Sequence, residues 1–239
     1  MKLWGSSDIG VVRQENQDTY MLHELEDGAL LVVCDGMGGA KGGSTASSTA
    51  SHAFAEAVEQ GYQKNMKPSE MADLVALAAT KANAAVYQAA RQDPSLSGMG
   101  TTLVCLLAQG MDAIVGNIGD SRAYLIDEEG MRQVTHDHSL VAEMVRRGEL
   151  SSREASRHPN KNVITRALGV ESNVSCDVFP LSLKKGQYVL LCSDGLTNEV
   201  SEPEIYYEVF QSQAPERACD TLVEIARSRG GHDNITVVL

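Results

Sequence analysis

The chain has no apolar run long enough to cross a bilayer, and its start, Met1-Lys2-Leu3-Trp4-Gly5, carries no hydrophobic signal region. Its cysteines, Cys34, Cys105, Cys176, Cys192 and Cys219, are scattered and odd in number, and no pair has metal-ligand spacing. Three of them lie inside apolar strand-like runs, which reads as free buried thiols in a reducing cytosol. Positive charge is scarce: 20 Lys and Arg stand against 32 Asp and Glu, for a formal net charge of −12. Such a surface repels nucleic acid and anionic membranes, and would repel a phosphorylated substrate unless cations in the site reverse the local field. Several catalytic signatures are also missing. There is no HExxH or paired histidine spacing for zinc, and no GxSxG elbow. The glycine-rich run Gly36 to Gly43 lacks the Gly-Lys-Ser/Thr ending of a phosphate-binding P-loop. No linker or low-complexity segment breaks the chain, and nothing recurs at solenoid period.

What is present is a core-forming sequence of 239 residues, 43% hydrophobic and 22% charged, enough for one large domain or two small ones. It is organised around Leu30-Leu-Val-Val-Cys34, an apolar run expected to form a strand buried on both faces and to stop at Asp35-Gly36. A carboxylate at the end of such a run sits at the mouth of the core, where it stays hydrated or meets a cation. The phrase returns at Tyr188-Val-Leu-Leu-Cys-Ser-Asp194-Gly195, and in mirror image at Asp233, which precedes the apolar run Ile235 to Leu239. Asp35, Asp194 and Asp233 are therefore expected to converge on one site.

Along the chain, the polar block Ser6 to Tyr20 reads as a loop whose Arg13, Glu15 and Asp18 share that mouth. Ala40 to Gly43 reads as a flexible turn. Helical spacing follows over Thr45 to Tyr62 and over Ser69 to Arg91, an antiparallel pair lying on a sheet. Leu103–Ala108, Ala113–Ile118 and Ala123–Ile126 are successive strands without intervening helices, which argues for antiparallel pairing. Short helices are expected over Leu140–Arg147, from the capping-box spacing Ser151/Glu154, from Ser201/Glu204, and over Glu216–Ser228 before Gly230-Gly231. Arg146, Arg147, Arg153, Arg157, Lys161 and Arg166 form a basic interval, read either as a solvated face or as a flap that meets an anionic substrate.

Carboxylate, carbonyl and water oxygens suit Mg²⁺ or Mn²⁺. Asp35, Asp194 and Asp233 supply carboxylates, and Gly36 a carbonyl. Two such ions bridged by a carboxylate and a water would make that water a nucleophile for in-line attack on phosphorus, with Arg13 gripping the other phosphate oxygens.

These phrases together resemble the PPM family, the metal-dependent type-2C protein serine/threonine phosphatases, in its bacterial form. The match is carried by Arg13-Gln-Glu-Asn-Gln-Asp18, Val33-Cys-Asp-Gly-Met-Gly-Gly39, Gly100-Thr-Thr102, Asn117-Ile-Gly-Asp-Ser-Arg122, Asp137-His-Ser139, Thr165-Arg-Ala-Leu-Gly169, Ser193-Asp-Gly195 and Asp233-Asn-Ile-Thr236. The resemblance implies an α+β, four-layer α-β-β-α sandwich of two antiparallel sheets with helices on both outer faces. It implies one catalytic domain over 1–239 with a flap at about 138–160. It makes Asp35 the bridging ligand, Gly36, Asp194 and Asp233 further ligands of two Mn²⁺ or Mg²⁺ ions, and Asp120 a ligand of a third, weaker one. Arg13 becomes the phosphate clamp, and Glu15, Asp18 and Asn234 hold the ligands or their waters from behind.

Two departures stand out. Met37 occupies the place of a histidine proposed as general acid in eukaryotic relatives, which leaves a water on the metal for that role. Ala40 and Ser44 stand where many bacterial relatives carry polar or acidic residues. The expectation is a cytoplasmic, bacterial, monomeric enzyme that hydrolyses phosphoserine and phosphothreonine in proteins, a serine/threonine kinase or its products among its partners, with no nucleic acid or membrane partner. The rivals are an inactive phosphoprotein-binding regulator on the same fold and a hydrolase of small phosphoesters.

Overall fold

A computed structural model describes every residue except Gln213, and, within helix α1, all side chains except those of Ala40 and Lys41. Strand β3, Gly28–Met37, is its axis. Successive side chains of a strand point to opposite faces. Leu30, Val32 and Cys34 accordingly pack beneath two long helices, while Ala29, Leu31 and Val33 face a second sheet. All six are at most 1% exposed, so both faces of this strand are core. Complete burial of each larger side chain contributes about 1.5–3 kcal/mol.

The first sheet runs β2 (Asp18–Leu25), β3, β5 (Leu103–Gln109), β6 (Asp112–Ile118) and β9 (Asp177–Ser182), with the two-residue β4 (Gly100–Thr101) paired to the far end of β3. The second runs β1 (Gly5–Asp8), β11 (Ile235–Val238), β10 (Tyr188–Cys192), β7 (Arg122–Asp127) and β8 (Gly130–Gln133). Every strand pair is antiparallel. Helices α1 (Gly39–Gly61) and α2 (Pro68–Gln92) cover the first sheet through Phe54, Val58, Met71 and Val75. Helix α7 (Pro215–Ser228) and the shorter α6 (Glu202–Tyr206) cover the second through Leu222, Val223 and Ile205. The result is the α-β-β-α sandwich, with one apolar layer between the sheets and one under each helical face.

The first and last strands are neighbours: Gly5 pairs with Val238, and Trp4 and Leu239 exchange two backbone hydrogen bonds of 2.8 Å. Between β8 and β9 lie α3 (Leu140–Arg146) and α4 (Ser152–Ala155), the latter opened by the Ser151/Glu154 capping box. The Ser201/Glu204 box likewise opens α6.

Three expectations are corrected. β3 does not stop at Asp35-Gly36 but continues to Met37, because Gly36 and Met37 find ladder partners in Thr101 and Gly100. Residues 40–43 are not a turn but belong to α1, which starts at Gly39. Gly43 there allows contact rather than flexibility: a Cβ on it would lie 2.5 Å from Gln17 Oε1 and 2.9 Å from the Gly36 carbonyl oxygen, and a Cβ on Gly36 would lie 2.1 Å from the Gly43 carbonyl oxygen. The polar block 6–20 is a loop only in its middle, since Gly5–Asp8 and Asp18 onward are strands. β9, with Pro180 in it and only half-buried residues or less, is an edge strand that carries no apolar run to announce it.

Candidate functional site

Four aspartates arrive at one end of the sandwich from four separate places. Asp35 comes from the end of β3, and Asp120 from the turn between β6 and β7. Asp194 begins the short helix α5 (Asp194–Thr197) after β10, and Asp233 precedes β11. All four line a single open cavity of about 820 Å³, together with Glu15, Gly36 and Arg13. Arg13 is the only positively charged residue among the described residues of its wall.

The electrostatics follow from this crowding. Burial pushes the Asp35 carboxyl well above the usual carboxylate range, and the charges of Asp18, Asp194, Asp120 and Asp233 push it further. Asp120 is pushed up to about 7 by burial and by Asp194 and Asp137. Asp194 is raised by burial and then by Asp233. Asp18, opposite Asp35 in the β2–β3 register, is pushed up to about 7 by burial, against the hydrogen bonds it accepts. Ser193 Oγ donates to Asp18 Oδ2 at 2.7 Å, while the buried Oδ1 has no protein partner. Among the described residues no three acidic, histidine or cysteine side chains are already closed into a cage for an ion. The carboxylates share a cavity and a field.

The backbone of the site is fixed with more care than its side chains. The Asp35 N–H donates to Thr102 Oγ1 at 2.9 Å, and the Asp35 carbonyl accepts from Thr101 Oγ1 at 2.8 Å and from the Thr102 N–H at 2.9 Å. Thr102 Oγ1 lies 2.7 Å from Ser121 Oγ, which ties the Asp35 strand end to the Asp120 turn. That turn is held from its other side. His138 Nδ1 accepts from the Gly119 N–H at 3.0 Å, so its proton sits on Nε2, facing Asp177 Oδ2 at 3.0 Å. Asn234 Nδ2 donates to the carbonyls of Ile9 and Glu15, and its Oδ1 accepts from the Gln17 N–H. It thereby stitches the loop that carries Arg13 to the start of β11.

Of the residues singled out in the sequence, Arg13, Glu15, Asp35, Gly36, Asp120, Asp194, Asp233 and Asn234 all line the cavity. Asp18 lies behind it, 9% exposed. Arg13 is not a free fork: its Nη2 donates to Asp233 Oδ2 at 2.7 Å. Glu15 accepts from Ser44 Oγ at 2.7 Å, which gives Ser44 a place in the loop geometry. The Ala40 side chain lies outside the described residues. Thr101, Thr102, Ser121 and Ser193 were legible only as parts of motifs. Their sequence signal is a hydroxyl beside a strand end, which is too common to single out. From the basic interval, Asn162 and Ile164 reach the cavity wall, and Lys161 Nζ donates to Asn198 Oδ1 at 2.9 Å. Arg146 and Arg147 are engaged with Glu143.

The oxygen-only donor set, the excess of anionic groups over the single described cation, and the orphaned Asp18 oxygen fit hard divalent cations. Comparison with known proteins points the same way. Residues 10–226 match the family model described as protein phosphatase 2C. The serine/threonine phosphatase stp of Listeria innocua is 37% identical over 234 residues, which span 98% of this chain and 92% of that one. The crystal structure of the serine/threonine phosphatase Stp1 from Staphylococcus aureus superposes with a TM-score of 0.92 at 32% identity, over 99% of this chain and 93% of that one. The catalytic domain of the serine/threonine protein phosphatase PstP, solved with two manganese ions, superposes with a TM-score of 0.84 at 32% identity, over 99% of this chain and 96% of that one.

Proposed function

Because the chain belongs to the protein phosphatase 2C family, we propose that it is a metal-dependent phosphatase that removes phosphate from phosphoserine and phosphothreonine in proteins. The observation that carries this reading is the arrival of Asp35, Asp120, Asp194 and Asp233 from distant parts of the chain at one cavity beside Arg13.

In this reading Asp35, Asp194 and Asp233, with the Gly36 carbonyl, would hold two Mg²⁺ or Mn²⁺ ions, and Asp120 with Asp194 would hold a weaker third. When bound, such cations would neutralise charge, polarise the phosphoryl oxygens and make a water lose its proton readily, so that hydroxide is available to attack phosphorus. Arg13 binds the phosphoryl group: its planar fork matches two phosphate oxygens, and it must leave Asp233 to do so fully. Thr101, Thr102 and Ser121 keep Asp35 from drifting under the repulsion of its neighbours. Glu15, Asp18 and Asn234 support the set from behind, Asp18 through its unpartnered oxygen. Met37 has no proton to give, so the proton for the departing serine or threonine oxygen would come from a water in the cavity rather than from a side chain at this position.

The chain acts as one catalytic domain, and the interval 138–160, with α3 and α4, serves as the flap. No helix among the described residues is long and apolar enough to cross a membrane. We place the protein in the bacterial cytoplasm as a monomer that opposes a serine/threonine kinase.

The test is release of phosphate from a phosphothreonine peptide with Mn²⁺, with Mn²⁺ plus excess chelator, and by Asp35→Asn. Turnover is expected only in the first case. Turnover that survives both the chelator and the substitution overturns the reading.

A further inference from the structure

His138 is 6% exposed and forms no part of the acidic cavity's wall, yet its ring and its backbone are both spent on one residue beside that cavity. Gly119 donates its N–H to His138 Nδ1 at 3.0 Å, and the Gly119 carbonyl accepts from the His138 N–H at 2.9 Å. Gly119 has a φ of +107°, a backbone conformation that favours glycine. A Cβ there would also stand 2.6 Å from the Thr102 methyl, so the turn is packed on Thr102 and bonded to His138. The next residue is Asp120. Its carboxylate takes a hydrogen bond from its own backbone N–H. Where that carboxylate points therefore follows from the backbone of the turn.

The chemistry of the imidazole suits this task. A neutral ring accepts at one nitrogen only when the other carries the proton. Asp177 Oδ2, 3.0 Å from Nε2, keeps the proton on that nitrogen and leaves the Nδ1 lone pair for Gly119. Asp177 is held in turn by Arg166, whose Nη1 donates to Asp177 Oδ1 at 2.5 Å. The His138 backbone is pinned as well. Its carbonyl accepts from the Thr165 N–H at 2.8 Å, and the adjoining Ser139 bridges to Ile164, a residue of the cavity wall. From Arg166 through Asp177 and His138 to Gly119, each group fixes the next, and the series ends one residue short of Asp120. Partners one step behind a metal ligand orient it, and their loss typically weakens metal binding by about 10- to 100-fold.

We propose that His138 is a positioning residue for the third, weaker cation: by bonding Gly119 through ring and backbone it sets the direction of the Asp120 carboxylate. The inference rests on the assignment of Asp120 to that cation in the phosphatase reading. It is tested by titrating Mn²⁺ into the full chain and measuring free Mn²⁺ by electron paramagnetic resonance, which reads binding without turnover. The unmodified protein is expected to bind three ions, and Asp120→Ala two. The amide of His138→Gln reaches the place of Nε2 and leaves no acceptor at that of Nδ1. In that variant the dissociation constant of the weakest ion is expected to rise about tenfold, while the two tighter ones change by less than about twofold. In His138→Asn, whose Oδ1 takes the place of Nδ1, the weak-site constant stays within about threefold of the unmodified value. The Asp177 side chain is 36% exposed, so its replacement is tolerated, and Asp177→Ala, which frees the tautomer, moves the weak site in the same direction as His138→Gln. A weak-site constant unchanged in both His138→Gln and Asp177→Ala, or an equal loosening of all three sites, overturns the role of His138 while leaving the Asp120 assignment intact. Three ions bound by Asp120→Ala, or only two by the unmodified protein, overturns both.

Discussion

Arg13 Nη2 and Asp233 Oδ2 are joined at 2.7 Å, across 220 residues of sequence. The pair unites the one described cation of the cavity with one of its carboxylates, so the ion pair itself competes with the phosphate proposed for Arg13 and with the metal proposed for Asp233. Arg13→Ala is expected to lower kcat/KM for a phosphothreonine peptide by about 10- to 100-fold, the scale of a charge-assisted hydrogen bond pair of about 1.5–3 kcal/mol. The same variant frees Asp233, so the Mn²⁺ concentration for half-maximal activity is expected to fall. A midpoint that rises shows that the two do not compete.

Stability without divalent ions should decline as pH rises. Asp18 and Asp120 are held up to about 7, and Asp35 and Asp194 are raised as well, so the folded chain binds more protons than the unfolded one above the ordinary carboxylate range near 4. Their contribution is fully present below about pH 4 and is lost as pH climbs through 7. His138 pulls the other way, because burial lowers its pKa and stability is lost as pH falls below its unfolded value near 6.5, but it is one group against four. In chelator, Tm is expected to be lower at pH 8 than at pH 6, with Mn²⁺ restoring it at pH 8. Scanning calorimetry with and without chelator reads this directly, and a Tm that rises with pH in chelator contradicts it.

Thr102→Val keeps the shape of the side chain and removes the acceptor of the Asp35 N–H. An unsatisfied buried donor costs about 1–3 kcal/mol, and the strand end carrying Asp35 loses its tie to Ser121. Urea denaturation should show that cost, and phosphatase activity should fall at least in proportion. Thr102→Ser should recover both.

Gly36→Ala drives a methyl group to 2.1 Å from the Gly43 carbonyl oxygen and 2.7 Å from that of Gln17, both backbone atoms. Either β3 or the first turn of α1 must shift, at a cost of about 1–3 kcal/mol. Because Asp35 adjoins the displaced residue, activity should be lost beyond the stability change, at every Mn²⁺ concentration tried.

Arg122 donates through Nε and Nη2 to both oxygens of Asp137, at 2.7 to 3.0 Å, with Gln133 as a further donor to the same carboxylate. Arg122→Met leaves Asp137, 13% exposed, without its main partner, and should cost about 3 kcal/mol. Pairing it with Asp137→Leu should recover much of that loss. A double mutant no more stable than the single one removes the pair from that role.

The sequence displayed best what repeats or caps. The apolar run 30–34, the helical stripes of α1 and α2, and the two Ser/Glu capping boxes lie where period and spacing put them. It displayed least what depends on register and contact. β1, four half-buried residues reading Gly-Ser-Ser-Asp, is a strand because β11 offers it a ladder, not because its own composition asks for one. Nothing local says that Asp18 stands opposite Asp35, or that Arg13 meets Asp233. Residues 40–43 read as a flexible turn because composition cannot distinguish freedom from close approach; at Gly43 a Cβ would stand 2.5 Å from Gln17 Oε1 and 2.9 Å from the Gly36 carbonyl oxygen. Of the candidate site, the carboxylates were visible at strand ends, while the hydroxyls that hold Asp35 and Asp18 were hidden among ordinary polar residues.

The pairing of β1 with β11 has a consequence for synthesis. A ribosome delivers residues 5–8 long before their partners 235–238, so the second sheet stays unfinished until the more than two hundred residues between them have been made. Asp233 directly precedes β11, so the cavity acquires its complete acidic complement only when translation has passed it. A nascent chain stalled short of this point would present the open edges of β1 and β10 to its neighbours, an invitation to intermolecular pairing.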